Sequence, residues 1–134
     1  MELLIAFATD DGEHINNSHF GMAQYYRIYR FAEGTGEYVE TQKNVKYSED
    51  ESLKHGDPAK AKATASALNG IAVIVGKKFG PNIVRLLRRF VCVVVRTERV
   101  SDAVQLIRDN MDRIEEEKNK GDERKHIVLN TESR

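Results

Sequence analysis

The amino-acid sequence predicts an α/β domain built on a five-stranded mixed sheet with helices on both faces. Two observations lead to this prediction: the first half of the chain contains strand-like segments joined by a glycine turn, and the second half alternates apolar strands with amphipathic helices. The 134 residues, of which 40% are hydrophobic, are enough for one core. We place that domain at residues 1–118 and expect residues 119–134 to be a polar, flexible tail.

The first three strands come from the first 45 residues. An apolar run from Leu3 to Ala8 ends in a turn and predicts a buried strand. Tyr25 to Phe31 mixes aromatic, aliphatic and basic residues, and Tyr38 to Val45 is rich in β-branched residues. Since Glu33 to Gly36 supplies a turn between them, strands two and three should form an antiparallel hairpin.

A polar segment and a helix follow the hairpin. Lys46 to Gly56 is predicted to be a loop, with a binding role for His55 left open. Asp57-Pro58 is typical of a helix start, and Asn69-Gly70 of a helix end. The small side chains between these signals would let the helix lie close to the sheet.

The second half predicts two further strands with a helix between them. Ile71 to Val75 and Val91 to Val95 are continuous and β-branched, as expected for strands covered on both faces. Pro81 to Phe90 carries an apolar stripe opposite its arginines and predicts an amphipathic helix of about three turns.

A last helix should begin at a Ser101 cap and continue through Ile114 to about Lys118. Beyond it, Ile127 to Leu129 could add a short edge strand. Right-handed crossovers place strands four and five on the side of strand one away from the hairpin, which gives the order 3-2-1-4-5 with strand two antiparallel. Ligands in such sheets bind where the connections diverge, at the loops after strands one and four.

The composition excludes several classes of partner. Lys plus Arg and Asp plus Glu are 21 each, so no overall field favours nucleic acid or anionic lipid. No apolar run approaches the roughly 20 residues that cross a bilayer, and the start of the chain lacks a secretory pattern, so we expect a cytoplasmic protein with no membrane partner. The lone Cys92 cannot build a thiolate cage for a metal and is expected to be a small core residue.

The two predicted loops have the composition of an anion cradle. Asp10 to Gly21 follows strand one, and Gly76 to Asn82 follows strand four with Gly76, Lys77, Lys78, Gly80 and Pro81. Glycine lets a ligand approach the backbone, amides at a helix start donate hydrogen bonds, and lysine supplies charge. The order of residues is not that of a P-loop, and plain turn chemistry is the alternative interpretation of the Gly-Pro step.

His19 is the candidate metal ligand, because an imidazole nitrogen can coordinate iron, molybdenum or copper species. A histidine that only hydrogen-bonds within its turn is the alternative. His14 and Asp10 have weaker claims, since His14 lies beside a charged turn and aspartate at a strand end commonly forms turns. The arginines of the second helix, Arg85, Arg88 and Arg89, are most simply its solvated face.

Several blocks of the sequence resemble the dinitrogenase iron-molybdenum cofactor biosynthesis family. They run in order between about Leu3 and Ile114, and the most specific is Ser18-His19-Phe20-Gly21-Met22-Ala23. The others are Phe7-Ala8-Thr9-Asp10-Asp11-Gly12, Tyr26-Arg27-Ile28-Tyr29, Val75-Gly76 and Gly80-Pro81. The resemblance implies a ribonuclease-H-like fold. It also implies kinship with carriers of the nitrogenase cofactor or its precursor, with a domain of a cofactor-assembly enzyme, and with small stand-alone proteins, one type of which holds a molybdenum-copper-sulfide cluster.

The resemblance implies a non-enzymatic, nitrogen-fixation-like carrier of an anionic metal-sulfur cluster, of iron-molybdenum or molybdenum-copper type. The cluster could be absent from purified protein. His19 would be the metal ligand, Phe20 and Gly21 would lie beside it, and Gly76, Gly80 and Pro81 would shape the opposite wall. Cofactor-assembly or acceptor proteins would be the partners. Here Lys77-Lys78-Phe79 replaces the glycine-rich, less charged stretch common in the family.

Two other functions remain open at this point. A ribonuclease-H-like nuclease needs several converging carboxylates, but strand four offers none and Asp10 and Asp11 stand alone on the first loop. A nucleotide- or anion-binding regulatory module would rest only on the glycine- and lysine-containing loop.

Overall fold

The computed structural model describes residues 2–44 and 68–131, and these form one mixed sheet with helices on both faces. The sheet has six strands in the order β3-β2-β1-β4-β5-β6. They are β1 (Leu3–Thr9), β2 (Tyr25–Ala32), β3 (Thr35–Lys43), β4 (Val73–Gly76), β5 (Val91–Val95) and β6 (Ile127–Leu129). The predicted loop Lys46 to Gly56, with His55, and most of the helix predicted from Asp57-Pro58 lie outside the described residues.

The order of the first five strands confirms the sequence prediction. Strand β2 runs antiparallel to both β1 and β3, while β4, β5 and β6 run parallel to β1 and to one another. The predicted total of five was wrong, because the segment Ile127–Leu129 adds a sixth strand beside β5. The sheet therefore extends beyond residue 118, while the flexibility expected of residues 119–134 and the ribonuclease-H-like label stay predictions.

Three α-helices lie among the described residues: α1 (Ile83–Leu87), α2 (Val100–Asp109) and α3 (Met111–Lys118). Short 3₁₀ turns lie at Phe20–Met22, Gly80–Asn82 and Gly121–Glu123. In the part of the chain that the structure describes, no helix is both long enough and apolar enough to cross a membrane.

The helix predicted over Pro81 to Phe90 is shorter than expected. The first residues of the predicted helix form the 3₁₀ turn instead. The helix ends at Leu87, where the amides of Arg89 and Phe90 both donate to the Leu86 carbonyl, at 3.0 and 2.9 Å. This tightened end turns Phe90 into the core, where it is 2% exposed. An apolar stripe cannot reveal such an ending, because it marks which face is buried and not how long the helix runs.

The last helix also differs from its prediction. It begins at Val100 after Arg99, so Ser101 lies inside it and is not its cap. Asn110 divides it into α2 and α3: the backbone leaves helical geometry there (φ −123°), and the side-chain amide donates to the Leu106 carbonyl at 2.8 Å. Asparagine competes with the helical hydrogen-bond pattern in this way.

Two apolar cores cover the two faces of the sheet. On one face α2 and α3 pack through Ala103, Leu106, Ile107 and Ile114 onto odd-numbered residues of β1, β4 and β5. On the other face, Leu86 of α1 packs with Phe20, Phe79, Phe90 and Cys92. Strands β1, β4, β5 and β6 are parallel, so their carboxyl ends share one edge of the sheet, and the loops that leave that edge form the candidate site.

Candidate functional site

The loops after β1 and β4 join through their backbones. His19 and Lys78 form a parallel bridge, and the Phe20 amide donates to the Lys78 carbonyl at 2.7 Å. The loop after β5 joins them, since the Ile15 amide donates to the Glu98 carbonyl at 2.8 Å. The structure thus brings together the two loops in which the sequence placed the site.

Phe20 anchors the loop that carries His19 to the core of the protein. Its ring is fully buried and stacks with Tyr26 at 4.8 Å and with Phe79 at 5.6 Å between ring centres. Gly76 lies against the same ring, since a Cβ there would be 3.4 Å from Phe20 Cδ1. Phe20 and Gly76, both predicted to touch the cofactor, therefore lie under the site as its support.

His19 is exposed at the junction of the loops, and its ring lies against Gly80. A Cβ at Gly80 would come 2.6 Å from His19 Nδ1, closer than real side chains approach, and the φ of +69° at Gly80 is a conformation that favours glycine. Within the described residues neither ring nitrogen has a hydrogen-bond partner, and Nδ1 is the nitrogen that lies towards Gly80. Pro81 follows, exposed, in the 3₁₀ turn.

Two asparagines fix the backbone around His19, and sequence reasoning missed both. Asn16 donates to the His19 carbonyl at 3.2 Å and is 3% exposed. Asn44 donates to the carbonyls of Gly21 and Ala23 at 2.9 and 2.8 Å. The partners of Asn44 could not be found from the sequence alone, because they lie more than 20 residues away along the chain.

The two lysines of the second loop have different surroundings. Lys77 Nζ donates to Asn17 Oδ1 and to Glu98 Oε1, both at 2.6 Å, and its side chain is only 16% exposed. Lys78 is exposed and contacts the first loop through its backbone. Lys77 therefore ties three loops together, whereas the Lys78 ammonium lies in solvent near His19.

The acidic residues at the start of the loop after β1 form a turn with His14. The Asp11 carboxylate accepts hydrogen bonds from the amides of His14 and Glu13 at 2.8 Å and pairs with His14 Nδ1 at 2.7 Å. These donors, the His14 amide first, hold the pKa of Asp11 well below its ordinary value. Asp10 Oδ1 accepts from the Gln24 amide at 2.9 Å. His14, Asp10 and Asp11 thus build the turn.

Cys92 lies in β5 and is fully buried, as the sequence predicted. Burial raises the pKa of its thiol to about 12. Between residues 2–44 and 68–131, no three His, Cys, Asp or Glu side chains are grouped to hold a metal ion. The protein part of the site that the structure describes therefore offers one exposed imidazole, with the exposed Lys78 bridged to His19 through the backbone.

Comparisons with known proteins agree with this architecture. The model of a family described as dinitrogenase iron-molybdenum cofactor matches residues 1–110. A crystal structure from Methanocaldococcus jannaschii, provisionally described as a dinitrogenase, superposes with a TM-score of 0.56 at 16% identity and covers 82% of this chain and 91% of its own. That likeness shows a shared fold. A comparison with curated protein sequences gave no match.

Proposed function

We propose, from the premise that this chain belongs to the dinitrogenase iron-molybdenum cofactor family, that it binds and carries an anionic metal-sulfur cluster without transforming it. The family suggests a role in the biosynthesis or carriage of that cofactor. The cluster is the cargo of the protein and not a resident group. His19 would ligate one of its metals.

The observation that carries the proposal is the free imidazole of His19. It is exposed, it lacks a hydrogen-bond partner among the described residues, and Gly80 leaves room for it that any other residue would fill. A purely structural turn histidine would be expected to use a ring nitrogen within the turn. His14 does so with Asp11 in the same loop.

A single protein ligand suits a carrier. A cluster brings its own sulfides, so one imidazole nitrogen can hold it at one metal while the remaining positions stay open for transfer. Lys78 would add attraction for the negative charge, because an ammonium group donates hydrogen bonds but cannot ligate a metal. The exposed position of His19 leaves space for a cofactor-assembly protein or an acceptor to approach.

The alternative functions have less support. A two-metal nuclease needs converging carboxylates, and the described residues contain no such group at the strand ends. A nucleotide-binding module would rest on the lysines of the second loop, but Asn17 and Glu98 already hold the Lys77 ammonium, which leaves Lys78 as the one exposed lysine of that loop.

Anaerobic titration of the purified protein tests the proposal. Tetrathiomolybdate with copper(I), and separately an iron-sulfur cluster in a labile thiolate complex, should be taken up at about one cluster per chain with new visible absorption that co-elutes with the protein. Free imidazole at high concentration should compete. If neither cluster co-elutes, or if imidazole has no effect on uptake, the proposal is wrong.

A further inference from the structure

A second polar surface lies on the β2–β3 hairpin, which forms the outer part of the sheet. Arg27 of β2 faces Thr41 of β3 directly, and the neighbouring pair is Tyr25 with Lys43. Directly opposed residues of antiparallel strands share a face, and alternate residues of a strand do too. Arg27, Thr41 and Lys43 therefore lie on one face of the β2–β3 hairpin.

Arg27 is half-buried and has no ionic partner among the residues that the structure describes. Its guanidinium carbon lies 4.3 Å from the ring centre of Tyr38 and 6.0 Å from that of Tyr29, and Nη1 lies under Gly12. The Nε atom is buried and has no hydrogen-bond partner. No carboxylate among residues 2–44 and 68–131 pairs with this side chain. A guanidinium with unused donors is a binding group for carboxylate or phosphate.

The strands place their own acidic residues on the other face. Glu37 opposes Arg30, and Glu40 opposes Ile28, whose side chain belongs to the opposite core. Arg30 is paired there with Glu2 at 3.1 Å. The face with Arg27 thus has two cations, Arg27 and Lys43, and no carboxylate from β2 or β3.

We propose that Arg27, Thr41 and Lys43 form a binding site for a small oxyanion, a carboxylate or phosphate group. The guanidinium supplies a fork of donors, and Lys43 lies on the diagonal within reach of the same group. The Thr41 hydroxyl shares a 2.7 Å hydrogen bond with the Tyr38 hydroxyl, and it donates to the ligand when Tyr38 is the donor of that bond. A depression of about 330 Å³ lined by Gln24, Tyr25, Lys43 and Asn44 meets the site at Lys43. Tyr38 supports the guanidinium from one side. Arg27, Thr41 and Lys43 are not among the residues proposed to hold the cluster, so this proposal does not depend on the cluster.

Titration followed by NMR on the arginine Nε–H signals tests this site. Inorganic phosphate and malonate are added separately at constant ionic strength, balanced with chloride. The Arg27 signal, assigned by its loss in Arg27→Gln, should shift saturably with at least one of the two. Lys43→Gln should weaken that binding about fivefold, as expected for loss of one exposed charge contact. Arg30→Gln, on the same strand but the opposite face, is the matched control and should leave it unchanged.

The outcomes separate the ligand classes. Saturation with phosphate alone supports a phosphate group, saturation with malonate alone supports a carboxylate, and saturation with both supports a general oxyanion site. The proposal is overturned if neither anion gives a saturable shift. It is also overturned if Arg30→Gln weakens binding as much as Lys43→Gln. If Arg27→Gln does not fold, the comparison of wild type with Lys43→Gln tests the proposal. The Arg27 Nε–H signal is then assigned through its covalent connection to the Arg27 backbone signals.

Discussion

At the scale of single residues, the pairing of His19 with Gly80 is the feature on which the site depends. Gly80 meets two separate demands: a positive φ and the space that the His19 ring occupies. Gly121 meets only the first, because it has a φ of +60° and nothing within 4 Å of a Cβ. Substituting each glycine in turn therefore distinguishes the effect of backbone strain, which both share, from the effect of displacing the His19 ring, which only Gly80 would cause.

Gly80→Ala should lose about 1–3 kcal/mol of stability and also weaken cluster binding, since the new methyl pushes the His19 ring away. Gly121→Ala, its control, should lose about 1 kcal/mol through backbone strain and bind clusters as wild type does. Urea unfolding and anaerobic cluster titration measure the two effects. Equal cluster affinity in the two variants would show that Gly80 does not position His19.

Asp11 makes stability depend on pH in acid. Its pKa is lower in the folded protein than in the unfolded chain, so the folded state is favoured while the carboxylate is charged. That contribution is complete at neutral pH and is lost as the pH falls below about 4, the ordinary range of aspartate, towards the lowered folded value. Asp11→Asn should be less stable than wild type at pH 6, and the difference should shrink on acidification. Urea midpoints between pH 6 and pH 2.5 check this, and a difference that grows in acid would contradict it.

The sequence predicted some of these residue roles and could not predict others. The burial of Cys92 and the meeting of the two loops that carry His19, Gly76 and Gly80 are confirmed. The roles of His19 and the two glycines towards a cluster stay predictions. Asn44 and Glu98 were missed because their hydrogen bonds join segments that are adjacent only in the folded protein. Asn16 was missed because an asparagine in a polar loop has no sequence pattern that distinguishes a hydrogen bond to a residue three positions on from simple exposure.

At the scale of elements, the loops at the carboxyl ends of β1, β4 and β5 act as a unit held by Lys77. The sequence placed Lys77 and Lys78 beside the ligand as an equivalent pair. In the structure Lys77 bonds Asn17 and Glu98, while Lys78 remains exposed. A hydrogen-bonding side chain and its solvated neighbour have the same sequence signature, so only the structure separates them.

Lys77→Met should destabilise the protein by about 1 kcal/mol and slightly weaken cluster binding at every salt concentration, because it loosens the loops. Lys78→Met should leave stability unchanged and weaken uptake mainly at low salt, since exposed charges are screened over about 8–10 Å near physiological ionic strength. Thermal unfolding measures the stability of the two variants, and cluster titrations at about 20 mM and about 500 mM salt measure how their binding depends on screening. Identical behaviour of the two would refute separate roles.

Element boundaries were less predictable than element types. The helix after β4 ends early at Leu87, and the last helix divides at Asn110. Both changes arise where one backbone or side-chain hydrogen bond competes with helix continuation. A periodic apolar stripe continues through such breaks, so it does not reveal them.

At the scale of the whole molecule, the sheet order followed from the sequence because hairpins and right-handed crossovers allow few arrangements. The sixth strand was only a possibility in the sequence, at Ile127 to Leu129, since a three-residue apolar segment in a polar stretch is a weak signal. Ile127 and Leu129 of β6 are 2% and 0% exposed and belong to the core under α2 and α3. The last part of the described chain thus completes that core.

Leu129→Ala should cost about 2–5 kcal/mol, as expected for a large side chain removed from a packed core. Val128→Ala, its neighbour in the same strand, is half-buried and should cost about 1 kcal/mol. Urea unfolding of both variants measures the costs. A loss no larger for Leu129→Ala than for Val128→Ala would mean that β6 does not contribute to the core.

The central claim is that His19 holds a metal-sulfur cluster, and His19→Ala compared with His14→Ala tests it most directly. His14 is the matched control: it lies in the same loop and is exposed, but its ring already pairs with Asp11. His19→Ala should keep its stability within about 1 kcal/mol, as expected for an exposed loop residue. Its cluster affinity should fall about 10- to 100-fold.

The measurement is an anaerobic titration of both variants and wild type with tetrathiomolybdate and copper(I), followed by visible absorption, at several pH values. Wild type and His14→Ala should bind alike and lose the cluster as the pH is lowered, because a protonated imidazole has no lone pair for a metal. His19→Ala should bind weakly at every pH. Wild-type affinity in His19→Ala would contradict the assignment of His19 as the ligand.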